Sequence, residues 1–176
     1  LTNDDGATLR DQFMAENVQW ILQQEQRNGH KKIFVTGHNS HVAKWGSFDS
    51  MGKLLSKDAV NGYYVIGTDF YKTHCNMPTR SPKKRTIQVF YSHDPLAKAA
   101  KLAGFDICWL DFTKVPENSE LGRQASEYTY IGTLGESYSI IMRLLPPSYR
   151  MFQPPAVLYD SMIFVTDANP TKILEE

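Results

Sequence analysis

Residues 33–41 read Ile-Phe-Val-Thr-Gly-His-Asn-Ser-His, and this stretch constrains the fold more than any other. An unbroken apolar run suits a strand covered on both faces, as in parallel sheets. Gly37 ends the run and lets the main chain approach its neighbours closely. His38 and His41 follow, with Asn39 between them. A buried strand that empties into titratable groups is where α/β folds place their chemistry. Histidine titrates near neutral pH, so it can both take and give a proton. Lys32–Gly37 is therefore expected as the first strand, with His38 and His41 as candidate catalytic residues. Two other readings stay open for the pair alone. The rings can be loop histidines satisfied by carbonyls, or two of the ligands of a metal-dependent hydrolase. The spacing does not match the His-Glu-x-x-His helix of zinc hydrolases, and a third ligand has to come from elsewhere. No metal site and no cofactor is assigned.

A helix is expected before this strand, from about Thr8 to Gln26. Asp4, Asp5 and Thr8 are capping candidates, and Gly29 is a stop. At 100° per residue, Leu9, Phe13, Met14, Val18, Trp20, Ile21 and Leu22 make one broad apolar face. Arg10 and Asn17 fall near the middle of that face. A buried arginine without a partner is costly, so Arg10 is expected to meet an acid, a ligand or a water-filled cleft. Its planar fork suits a carboxylate or a developing oxyanion, which makes it a candidate catalytic group. Asn17 is expected in the same cleft.

The rest of the chain alternates strands and helices. Strands are expected at 63–70, 86–91, 105–112, 128–132 and 159–166. Short helices are expected within 47–57, at 95–103 after an Asp94 or Ser92 cap, and at 117–125. Residues 81–85 form a basic loop, and Pro146, Pro147, Pro154 and Pro155 bracket an irregular stretch. This order indicates an α/β fold: a layered sandwich whose mixed, mainly parallel central sheet is flanked by helices. With 176 residues the chain fits one domain, 1–176.

Lysine plus arginine balances aspartate plus glutamate at 19 each, which points away from nucleic acid and from a polybasic membrane anchor. No apolar stretch is long enough to span a bilayer. Two cysteines, Cys75 and Cys108, make no disulfide framework, and a cytoplasmic location is the expectation. The implied partner is a small molecule; the oligomeric state is not read.

Asn39, Asn17 and Asp69 are candidate substrate-binding groups. Asp69 ends an expected strand and faces the crevice, or is simply a solvated acid; Asp111 is similar. His74 beside Cys75 reads as two unrelated side chains, because adjacent residues rarely point together. The cluster Arg80, Lys83, Lys84 and Arg85 reads as a solvated loop, with no aromatic platform beside it. Gly132-Thr-Leu-Gly135 is a loop and not a dinucleotide fingerprint.

Three blocks together resemble the erythromycin esterase family. They are Arg10-Asp11-Gln12-Phe13-Met14-Ala15-Glu16-Asn17-Val18, then Gly37-His38-Asn39-Ser40-His41-Val42, then Met51-Gly52. Tyr159-Asp160-Ser161-Met162-Ile163-Phe164 is similar to the closing strand of that family. The resemblance implies hydrolysis of a carboxylic ester or macrolide lactone by water activation, with a role in antibiotic resistance; some members carry succinoglycan-biosynthesis labels. It implies that Arg10, His38 and His41 occupy active-site positions. Members are longer, and the resemblance implies that a further histidine and glutamate in their N-terminal half are central to catalysis, the histidine as the base that activates water, with Arg10, His38 and His41 orienting the water or stabilising charge on the ester carbonyl. The resemblance therefore implies that this chain corresponds to a C-terminal portion, incomplete by itself as an enzyme. A non-catalytic binding domain of the same fold is the remaining alternative.

Overall fold

The computed structural model of the chain describes residues 3–58, 62–78, 84–92, 94–135, 141–145 and 149–172. Helix α1 spans Asn3–Arg27. It starts upstream of the expected Thr8, so the proposed caps lie inside it. It ends as expected: Gly29 takes φ +88°, and the amides of Gly29 and His30 bond back to the carbonyls of Gln26 and Glu25. The chain then reaches the short helix α2 (Asn39–Val42) and helix α3 (Met51–Asp58).

The central sheet has the order β2-β1-β6-β3. Its strands are β1 (Ile66–Pro78), β2 (Arg85–Tyr91), β3 (Ile107–Asp111) and β6 (Ser161–Ala168). β1 and β6 run parallel, with Ile66 opposite Ser161 and Phe70 opposite Val165. β1–β2 and β3–β6 are antiparallel. The α/β class and the mixed sheet are as the sequence indicates, with parallel pairing confined to one pair. Strands β4 (Thr129–Gly132) and β5 (Arg150–Gln153) form a separate two-stranded ribbon. Helices α4 (Pro95–Leu102), α5 (Glu120–Ser126), α6 (Ile141–Leu144) and α7 (Pro155–Leu158), with one 3-10 turn at Phe112–Lys114, complete the described elements. Asp94 caps α4 by accepting from the Leu96 amide at 2.9 Å, and Pro95 follows it at the first helical position. Ser92, the other candidate, accepts from the Asp94 amide.

The register sorts the sheet into two faces. Gly67 and Asp69 of β1 lie beside Met162 and Phe164 of β6, and Leu110 lies beside Met162. This face packs on α4, α7 and the ribbon through Leu96, Ala97, Ala100, Leu158 and Ile131. The opposite face carries Ile66, Ile107, Trp109, Ile87 and Val89, all substantially exposed.

Several expectations change. Lys32–Gly37 is not a strand: these residues pair with no strand among the described residues, and Phe34 is 85% exposed. A hydrogen-bond ladder needs a neighbour, and a local apolar run cannot supply one. β1 runs eight residues beyond the expected Phe70, because Lys72–Pro78 forms the antiparallel pair with β2. β6 starts two residues later than expected. The stretch around the prolines is less irregular than expected, holding α6, β5 and α7. Pro146, Pro147, Arg80, Lys83 and most of the basic loop lie outside the described residues. Among the described residues, no helix is long and apolar enough to cross a membrane.

Candidate active site

The side of α1 that packs is not the one its broad apolar face suggests. Residues Asp11, Met14, Ala15, Val18 and Leu22 lie within about 60° of one another's stripe centre at 100° per residue. Asp11 and Ala15 are buried, and Met14 and Val18 pack against Met51 and Leu55 of α3. Leu9, Phe13 and Trp20 point the other way and are exposed. The packed stripe is thus rotated by about 100° from the expected one, which puts Arg10 and Asn17 off its edge.

That rotation brings a carboxylate into the interior. Asp11 is fully buried. Its Oδ2 accepts from the Met51 amide at 2.9 Å and lies 2.8 Å from Nδ1 of His41. Met51 opens α3, so the carboxylate satisfies one of the amides that a helix start leaves unpaired, at the positive end of its dipole. An acceptor-only carboxylate requires the proton on His41 Nδ1. Nε2 of His41 is then left with its lone pair, and Arg10 Nη2 donates to it at 3.2 Å. Arg10 also lies 3.7 Å from Asp11 through Nε, although its side chain is 62% exposed. The guanidinium reaches from the rim of α1 across a buried acid onto the imidazole.

Gly52 makes this junction possible. A Cβ there would stand 2.1 Å from the Val42 carbonyl oxygen, so only glycine lets α3 close on α2. Phe48 packs edge-on to the His41 ring, with centroids 6.5 Å apart.

His38 is adjacent but differently held. Its centroid is 6.5 Å from that of His41. Nε2 lies 2.9 Å from the Leu134 carbonyl, which requires a proton on that nitrogen. Nδ1 accepts from the Ser40 amide at 3.4 Å and lies 2.9 Å from Ser40 Oγ. Both ring nitrogens are occupied. His38 also lines a cavity of about 310 Å³ with Asn39, Phe70, Gly132, Leu134 and Val165.

The structure brings Arg10, His38 and His41 together, places Asn39 and Asp69 in the cavity beside His38, and leaves Asn17 apart. Asn39 is buried and clamps strand β1. Its amide donates to the Thr68 carbonyl at 2.5 Å and its carbonyl accepts from the Thr68 amide at 3.1 Å. Asp69 lines the same cavity, but its oxygens accept from the amides of Phe70 at 2.8 Å and Gly132 at 3.1 Å. Burial pushes its carboxyl above the usual range. Asn17 is exposed and makes no contact with Arg10, about two turns away along α1. His74 approaches Asp167, while Cys75 meets Thr73, so the two do not form a pair. Asp111 accepts from Thr113 and caps the turn after β3.

Asp11 is the residue that sequence reasoning missed. Its signal was a carboxylate in phase with Met14, Ala15, Val18 and Leu22. A buried acid there needs donors, and a histidine and a helix start provide them. Among the described residues, no three His, Cys, Asp or Glu side chains gather as a metal site.

Two solved structures share the fold. A Bacillus cereus protein superposes with a TM-score of 0.79 at 20% identity, over 98% of this chain and 41% of its own. A succinoglycan biosynthesis protein superposes with a TM-score of 0.78 at 14% identity, over 96% of this chain and 40% of its own. The chain thus spans about two fifths of the length of either. No curated protein sequence matches it. The family model for erythromycin esterase matches residues 2–168, which include the Arg10–Asp11 helix, both histidines and Met51-Gly52, and the chain belongs to that family.

Proposed function

We propose that the chain carries the histidine side of a hydrolase site that cleaves a carboxylic ester or macrolide lactone with water. The observation that carries the reading is the Asp11–His41 contact at 2.8 Å, with Nε2 of His41 turned to Arg10. Family membership supports the hydrolase class; the ester substrate and the residue roles are the proposal.

In this reading the substrate carbonyl oxygen takes over the Arg10 guanidinium and so uncovers Nε2 of His41. A water molecule attacks the carbonyl carbon and gives its proton to Nε2. Negative charge moves to the carbonyl oxygen, where Arg10 stabilises it. The tetrahedral intermediate then expels the alcohol oxygen, which takes the proton back from Nε2. The products are a carboxylic acid and an alcohol, joined in one chain if the substrate was a lactone. Asp11 touches neither substrate nor water. It holds the proton on Nδ1 and stabilises the imidazolium while it lasts. His38, with both nitrogens occupied, shapes the adjoining cavity and contacts the substrate. Opening a macrolide ring inactivates the drug, so a role in antibiotic resistance follows from the same reading.

The test is incubation of the protein, as its native gene encodes it, with a panel of macrolides and simple aryl esters, followed by mass spectrometry. Addition of one water to a substrate, abolished in His41→Ala, supports the reading. No hydrolysis of any ester overturns it and favours a binding domain of the same fold. That second reading draws on the Arg10 contact that covers Nε2 and on the two-fifths span.

A further inference from the structure

The main chain of residues 31–37 is unused. Among the described residues it neither donates nor accepts a hydrogen bond. Its side chains are nonetheless those of a covered strand: Ile33, Phe34 and Val35 in succession. One side is already covered, since Val35 packs against the Met51–Leu55 cluster of α3 and Ile33 is half-buried. The other side is bare, with Phe34 85% exposed. Free amides and carbonyls beside an exposed aromatic are a ready template for another strand.

We infer that residues 32–37 are one half of a strand pair whose other half comes from an added polypeptide lobe. Phe34 would then be buried under that lobe. The size of the relatives argues for this occupant over a second copy. The Bacillus cereus chain aligns with 98% of this one yet leaves 59% of itself (100 minus 41) outside the match. The succinoglycan biosynthesis protein leaves 60% (100 minus 40) outside. Each therefore carries more polypeptide than this chain contains, enough for a lobe with its own core. A six-residue strand pair spans about 20 Å, a length that such a lobe readily matches.

The test is hydrogen–deuterium exchange of the 32–37 amides in two samples. One is the 176-residue chain, run across a range of concentrations. The other is the protein as its native gene encodes it. We expect fast exchange in the first at every concentration, and exchange on the order of 100-fold slower in the second. Phe34→Asp should leave the melting temperature of the 176-residue chain unchanged and lower that of the native-gene product. Fast exchange in both samples overturns the inference, as does a native product no longer than this chain. Protection that appears in the 176-residue chain only as a dimer forms overturns it in favour of a second copy. None of these readouts uses ester hydrolysis, so failure here is distinct from failure of the proposed activity.

Discussion

Replacing Asp11 tests how the site is held together. Asp11→Ala removes a fully buried acceptor and strands two donors, the Met51 amide and His41 Nδ1–H. Each buried donor left unpaired costs about 1–3 kcal/mol, and a small cavity adds to that. A loss of roughly 3–4 kcal/mol is expected, or about 6–16 °C in melting temperature for a chain of this size. Asp11→Asn should cost less, roughly 1–2 kcal/mol, because its carbonyl oxygen still accepts from Met51. That oxygen stands in the place of Oδ2, which meets both Met51 and His41, so it also keeps the proton on His41 Nδ1, while the amide NH2 takes the place of Oδ1, turned to Arg10. Urea unfolding reads the first effect as a shift in midpoint at constant slope. Nitrogen-15 NMR of the imidazole reads the second as two ring-nitrogen signals in the same order as in the parent. If Asp11→Ala unfolds within about 1 kcal/mol of the parent, the carboxylate does not carry these bonds. If Asp11→Asn exchanges the two ring-nitrogen signals, this oxygen does not hold the proton on Nδ1.

Other perturbations follow from the same contacts. Gly52→Ala should destabilise the protein by more than about 2 kcal/mol, because the new methyl meets the Val42 carbonyl at 2.1 Å; thermal melts by circular dichroism check this. Asn39→Ala should cost about 2–3 kcal/mol by releasing both Thr68 main-chain groups, and Asn39→Asp should not restore it, since a carboxylate repeats only the acceptor; urea midpoints distinguish the two. Burial pushes Asp94 from 3.8 up to about 7, so the folded state holds its proton more tightly than the unfolded chain. The stabilisation is fully present below about pH 4 and is lost as pH rises through about 7, on the order of 4 kcal/mol in all. Unfolding curves between pH 4 and 8 should show that decline, and Asp94→Asn, which keeps the helix cap, should flatten it.

Local signals in the sequence were reliable where the structure is locally determined. Asp94-Pro95, Gly29 and Gly104 mark the ends of helices because capping and left-handed backbone need only neighbouring residues. Strand β2 was legible from its alternation. The eight added residues of β1 carry no such alternation: Thr73 and Met77 are buried, and His74, Cys75 and Asn76 between them are all half-buried. Lys32–Gly37 misled because an apolar run states what a segment prefers and not whether a partner strand stands beside it. The site was half legible. His38, His41 and Arg10 meet, although Arg10 arrives from the rim of its helix and not from a buried face. Asp11 was hidden by the breadth of the apolar face: Phe13, Trp20 and Leu9 drew the stripe toward themselves, and they are exposed. Asn39 and Asp69 line the cavity beside His38, and both also hold the main chain, through Thr68 for Asn39 and through Phe70 and Gly132 for Asp69, a structural role that polar residues at strand ends do not announce. Arg150 drew no attention from sequence, yet it is buried and donates to the Tyr91 and Tyr130 carbonyls, tying the ribbon to the end of β2.

The account turns on His41, and not His38, as the group that moves the proton. The direct measurement is the rate of ester or lactone opening by the parent protein, His41→Ala and His38→Ala, on the best substrate found. The account predicts that His41→Ala lowers kcat by about 10²–10⁴. It predicts that His38→Ala acts mainly by raising KM. A His41→Ala protein that keeps its kcat while His38→Ala loses it would contradict the assignment.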